Sequence, residues 1–136
     1  MTPSPPTSAE TAAAAFRKSP VTARMLIGGE LVESAAGGWI ECLNPATEDV
    51  IGRAPRATEA DMAQAVSAAE TAQVKWAELP VQERSNHLMR LADAFAAHAD
   101  ELLMLEVADS GNAITAMKPD LANCIERLRY YAGLGF

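Results

Sequence analysis

The hydrophobic positions of this 136-residue chain change period at Thr58. Before it, short apolar runs alternate with polar residues at every second position, the spacing of half-buried strands. "RMLI" and "ELV" flank Gly28-Gly29, and paired glycines tolerate the positive φ of a two-residue hairpin turn. "WIECL" at 39–43 alternates in the same way, and "DVIGRA" at 49–54 returns as a further strand. The loops between them are "SAAGG" at 34–38 and "NPATED" at 44–49, where Asn44 before Pro45 is pushed out of the helical region. Region 24–54 is predicted to be one small antiparallel sheet of hairpins. Such a sheet is marginal alone and needs a surface to pack on.

After residue 58 the period becomes helical. Thr58 is the expected N-cap, with Glu59 and Asp61 at the positive end of the helix dipole. Met62, Ala65, Val66, Ala69, Trp76 and Leu79 recur at three- and four-residue steps as one stripe. Pro80 ends this helix and opens a second, about 81–97, with Leu88, Leu91, Ala92 and Phe95 on one face. A break is expected at His98–Asp100, with Asp100 as a new N-cap. A third helix over Glu101–Ala108 is closed by Gly111 in the left-handed position. "NAITAMKP" is predicted to be a connector, and a last helix to begin at Pro119-Asp120 and run through Leu121, Ile125, Leu128 and Tyr131. The predicted fold is therefore α+β: N-terminal antiparallel β-hairpins, then about four α-helices. Without βαβ alternation, no parallel sheet is expected. Residues 1–22, rich in Pro, Ser, Thr and Ala, are predicted to be a disordered arm.

Composition narrows the function classes. Of the residues, 49% are hydrophobic but only 5% aromatic, so the core should be thin and lean on a partner surface. The net charge of −7, with no basic stripe, argues against nucleic-acid binding. No apolar run is long enough to span a membrane, and the N-terminus lacks a signal-peptide pattern. Two cysteines, Cys42 and Cys124, without CxxC spacing suit a reducing cytosol.

Candidate chemistry is sparse. His87 and His98 could share a helical face, but two ligands do not make a metal site. Cys42 and Cys124 lack the helix N-terminus or adjacent base that activates a thiol, so both are expected to be buried structural residues. Gly133 and Gly135 form a GxG, yet it follows a helix, whereas a dinucleotide loop follows a strand. Tyr130 and Tyr131 are expected to pack on their own domain, with an interface role as the alternative. No triad, carboxylate dyad, metal cluster or phosphate loop stands out.

Five strings do stand out in order: "IGGELV", "LNPATEDVIG", "AAETAQVKWAELP", "QERSNHLMRLADAFAAHADELLMLEVADSGN" and "RYYAG". Together they closely resemble the N-terminal part of the NAD(P)-dependent aldehyde dehydrogenase superfamily, whose usual text includes an "NPATGEVI" turn, an "E..D.GKP" helix end and "RYYAG". The resemblance covers about residues 25–135, so 23–136 is expected to be an N-terminal aldehyde-dehydrogenase-like segment, with hairpins in 24–54 and helices in 58–135. Gly28 stands for a common Asn, Asp49 falls at or beside the turn Gly, and Asn112-Ala113 replaces Lys-Pro.

In that family, the resemblance implies, a Cys thiolate attacks the aldehyde, hydride passes to NAD or NADP, and a Glu-activated water hydrolyses the thioester. All of those residues belong to later parts of the family's sequence, so no catalytic or cofactor-binding residue is assigned here. The expected partners are the downstream cofactor and catalytic domains, and, in full-length relatives, further copies in a homo-oligomer. The expected location is cytoplasmic. One site carries over by motif position: a structural monovalent cation with the Asp109 carboxylate and the Leu43 carbonyl as ligands. Asp109 could equally do no more than end its helix. The alternative function is a non-catalytic module that docks on a separate dehydrogenase core.

Overall fold

The computed structural model describes residues 19–134. Among the described residues, five strands precede four helices: β1 (Val21–Thr22), β2 (Met25–Ile27), β3 (Glu30–Val32), β4 (Trp39–Leu43), β5 (Val50–Pro55), α1 (Glu59–Glu78), α2 (Val81–Ala97), α3 (Ala99–Ser110) and α4 (Ile114–Gly133). The order of hairpins followed by helices is the α+β arrangement expected from the pattern. Residues 1–18 of the expected arm lie outside the described residues, as do the final Gly135 and Phe136.

The strands form two sheets instead of one. β2 and β3 make a separate hairpin, turned by Gly28 at φ 62° and Gly29 at φ 89°. β4 and β5 pair antiparallel, and β1 adds to the far edge of β5 in parallel. This short parallel pair departs from the expected all-antiparallel sheet. It depends on a close approach that no periodicity shows: a Cβ on Gly52 would lie 2.5 Å from the Val21 carbonyl oxygen.

The core sits where β4 and β5 meet α3. Ile51 and Ala108 are buried together, with Cys42 and Met104 packed against them. On its other side α3 presents Leu103 and Val107 to Met117, Ile114 and Leu121 of α4. Each large apolar side chain buried here contributes roughly 1.5–3 kcal/mol. The most extensive helix pairing is α2 with α4, fastened by Ser85 Oγ donating to the Ala132 carbonyl at 2.7 Å.

This packing explains the largest departure among the helices. The expected connector "NAITAMKP" is helical: α4 begins at Ile114 and carries Pro119 inside it. Proline lacks the N–H that would bond one turn back. Burial of Met117, with Ile114 packed beside it, draws this segment into a helix, and Ala113 opens it by accepting from the Ala116 and Met117 amides. The expected break between α2 and α3 is present, but His98, not Asp100, is the capping residue. Gly111 closes α3 in the left-handed conformation, φ 70°, as expected.

Candidate functional site

The two residues carried over as cation ligands lie on segments that the fold brings into contact. Leu43 ends β4, and the 44–49 turn follows it. That turn is built by its own hydrogen bonds. The Asn44 amide donates to the Asp49 carbonyl at 2.8 Å, the Asn44 carbonyl accepts from the Glu48 amide at 2.7 Å, and Asn44 Oδ1 accepts from the Ala46 amide at 2.9 Å. Across the turn, Pro45 presses on the end of α3. A Cβ on Gly111 would lie 2.7 Å from Pro45 Cγ, so the contact needs glycine for space as well as for its positive φ.

Asp109 stands two residues before this contact and is exposed, as is Leu43. Among the described residues no three His, Cys, Asp or Glu side chains converge as a metal-ligand group. A carboxylate and a carbonyl are a partial shell for a hard cation, which takes six or more oxygens.

The strained position in the turn is Glu48 at φ 60°, the one positive φ outside glycine among the described residues. Glu48, not Asp49, therefore occupies the left-handed position that the family text fills with Gly. Asn44, whose side chain helps shape the turn, is completely buried.

A second polar cluster joins the first loop to α1. Asp61 Oδ2 accepts from Ser34 Oγ at 2.7 Å, from the Thr58 amide at 2.8 Å and from Thr58 Oγ1 at 2.8 Å. Asp61 Oδ1 accepts from the Ala35 amide at 3.3 Å, and the Asp61 amide donates back to Thr58 Oγ1 at 3.2 Å. This is a capping box with Asp in the place of Glu. The Thr58 amide, then the Ser34 and Thr58 hydroxyls, stabilise the carboxylate and lower its pKa from 3.8 to about 2, against the opposing effect of burial. The spacing Thr-x-x-Asp was a visible signal for half of this cluster. Ser34, 27 residues away, was not.

Other candidates separate. Cys124 is exposed and Cys42 half-buried, which corrects the expectation that both are buried. Tyr130 and Tyr131 are 63% and 60% exposed and meet edge to face, so they do not pack into their own domain as expected. Position on the outer turns of α4 is the reason: Ile125 and Ala132 take the buried side. His87 stacks near Trp76 and contacts Arg90, while His98 contacts Glu101. His98 caps the end of α2, the helix that carries His87, and each ring has its own partners. The described residues do not fit a dinucleotide cofactor, because none of the strands leads through a glycine-rich loop into a helix.

The aldehyde dehydrogenase family profile matches residues 31–136. The chain belongs to the aldehyde dehydrogenase family. The solved structure of HpcC from Thermus thermophilus is similar at 32% identity and TM-score 0.82, over 92% of this chain and 24% of that one. An NAD-dependent aldehyde dehydrogenase from Sinorhizobium meliloti is 29% identical at TM-score 0.83, over 88% and 24%. Betaine aldehyde dehydrogenase from Staphylococcus aureus, solved with NAD+, is 27% identical at TM-score 0.83, over 93% and 25%. The chain thus spans about a quarter of the length of these relatives, as expected of an N-terminal segment of the superfamily. No helix among the described residues is long and apolar enough to cross a membrane.

Proposed function

We propose that this chain forms the N-terminal portion of a cytoplasmic aldehyde dehydrogenase that oxidises an aldehyde to a carboxylate with NAD or NADP. The observation that carries the proposal is the family match over 31–136 together with coverage of only a quarter of the solved relatives. Within that enzyme the segment's role is structural. It offers no activated thiol, since Cys42 lies mid-strand in the sheet and Cys124 sits within α4, away from its N-terminus. The 136-residue chain alone is therefore inactive, and its partners are the cofactor and catalytic domains, assembled in a homo-oligomer. The purified chain, assayed with an aldehyde panel and both nicotinamide cofactors, should produce no reduced cofactor; turnover would overturn the proposal.

The exposed apolar residues of α1 favour docking, whether on the rest of the same enzyme or, in the second reading, on a separately encoded core. Met62 is 58% exposed and Val66 54%. The isolated chain should bind a hydrophobic dye or self-associate, and a dye-silent monomer would count against both readings. The Asp109 carboxylate and the Leu43 carbonyl are proposed to contribute to a monovalent-cation site completed by other segments. Replacing potassium or sodium by a bulky organic cation should then lower the stability of a full-length relative, and Asp109→Asn should abolish that dependence.

A further inference from the structure

The two edges of the β1–β5–β4 sheet are built differently. β1, on one edge, is two residues long and follows Pro20, which has no amide to offer a further strand. β4, on the other edge, is five residues long and contains neither proline nor lysine, the usual guards of an open edge.

The register shows which backbone groups of β4 are open. The Arg56 amide donates to the Gly38 carbonyl, and from the far side of β5 the Ala23 amide donates to the Arg53 carbonyl. Gly38, Ile40 and Cys42 therefore bond toward β5, while Trp39 and Glu41 turn their amides and carbonyls outward. Trp39 stands opposite Pro55, which has no amide, in keeping with a pair that exchanges no bonds. Among the described residues no strand bonds this outer edge.

The side chains select the partner. Glu41 stands opposite Arg53 in the register, yet the Arg53 guanidinium lies over the Trp39 ring, 4.2 Å from its centre. No ion pair joins Glu41 or Arg53 to a described residue. Ile40, on the opposite face, is 47% exposed. An antiparallel copy of β4 answers all three features. In a twofold pairing centred on Ile40, Trp39 of each copy faces Glu41 of the other and exchanges backbone bonds with it. Each Glu41 then lies beside the other copy's Trp39 and Arg53, and the two Ile40 side chains meet at the axis. A pairing centred on Glu41 would set the two carboxylates against each other.

We propose that the outer edge of β4 is an isologous interface between two copies of this chain, paired antiparallel about Ile40, with Glu41 of each copy against Arg53 of the other. The contact joins the two sheets into one. It needs neither cofactor nor catalytic domains, so its failure would leave the proposed enzyme function as it stands.

Sedimentation should show a dimer that high salt weakens. Glu41→Pro removes an outward amide and spares the bonds to β5, so it should give a monomer with the circular dichroism of the native chain. Glu41→Arg and Arg53→Glu should each weaken the dimer by about tenfold, and the double variant should regain it. Cross-linking reads the register. Facing residues that exchange no bonds lie about 4.5 Å apart between Cα atoms, within disulfide reach. In a Cys124→Ser background, Ile40→Cys should oxidise to a dimer linked 40 to 40, mapped by peptide mass spectrometry, much faster than Glu41→Cys links to itself. A native chain that stays monomeric up to its solubility limit would overturn the proposal. So would a dimer that survives Glu41→Pro, a double variant no tighter than the single ones, or equal cross-linking at positions 40 and 41.

Discussion

The α3–α4 pair holds Leu103, Val107 and Met117 in a shared apolar interior, whereas the one side chain that α1 buries is the carboxylate of Asp61. The first arrangement is ordinary hydrophobic packing, insensitive to pH and to local detail. The second is a polar fastening: a loop serine, a capping threonine and an aspartate hold a twenty-residue helix by its first turn. Beyond that turn α1 rests lightly on the β2–β3 hairpin and meets α2 through the Arg84 bond to the Leu79 carbonyl and the Trp76–His87 ring contact. A helix fixed at one end with its apolar side uncovered is what a docking element needs. A helix packed along its length is what a scaffold needs. The difference separates two kinds of helix within one short chain.

Substitutions should break this contrast unequally. Leu103→Ala removes a large side chain that is 6% exposed and should cost about 3 kcal/mol in urea unfolding, with the whole chain losing cooperativity. Gly111→Ala must accommodate both a left-handed backbone and a Cβ driven into Pro45, so a loss of about 2 kcal/mol is expected. It should loosen the 44–49 turn first, visible as faster amide exchange at Glu48.

Thr58→Ala tests the polar half. Loss of the cap should cost about 1 kcal/mol and fray α1 while leaving α3 and α4 protected from exchange. The same fastening should respond to acid. The folded pKa of Asp61 is depressed to about 2 from 3.8, so its contribution is fully present above about pH 4 and is lost as pH falls toward 2. Asp61→Asn should be less stable than the native chain at neutral pH, and the gap should shrink over that window. A gap that persists at pH 2 would show that the carboxylate charge is not what fastens the helix.

Glu48→Gly should do the reverse of the others. It relieves a left-handed non-glycine residue and should raise stability by about 1 kcal/mol. The smallest effect is expected on the open side of α1. Val66→Gln should change stability by less than about 0.5 kcal/mol yet reduce dye binding or self-association. A large loss of stability there would mean that α1 is packed after all, and the contrast between the two halves would fall.

Much of this arrangement was legible along the chain. The period change at Thr58 marks the passage from sheet to helix, the Gly28-Gly29 pair makes the hairpin turn, and Gly111 closes α3. These features act over a few residues, where dihedral preferences and spacing suffice. The candidate site was legible only as two motif positions, Leu43 and Asp109. Nothing local shows that Pro45 meets Gly111, because that contact joins residues 66 positions apart.

Period, capping and turn chemistry are properties of short windows, so the sequence by itself determined the order of elements, most of their ends and the family. Tertiary structure decided the rest. It made a helix of the segment around Pro119, because burying Met117 against Leu103 and Val107 outweighs one missing hydrogen bond. It added β1 to β5, because Gly52 lets two backbones approach. It joined Ser34 to Asp61 across 27 residues and left the stripe of α1 uncovered, since burial depends on what stands opposite, which no single window of sequence contains.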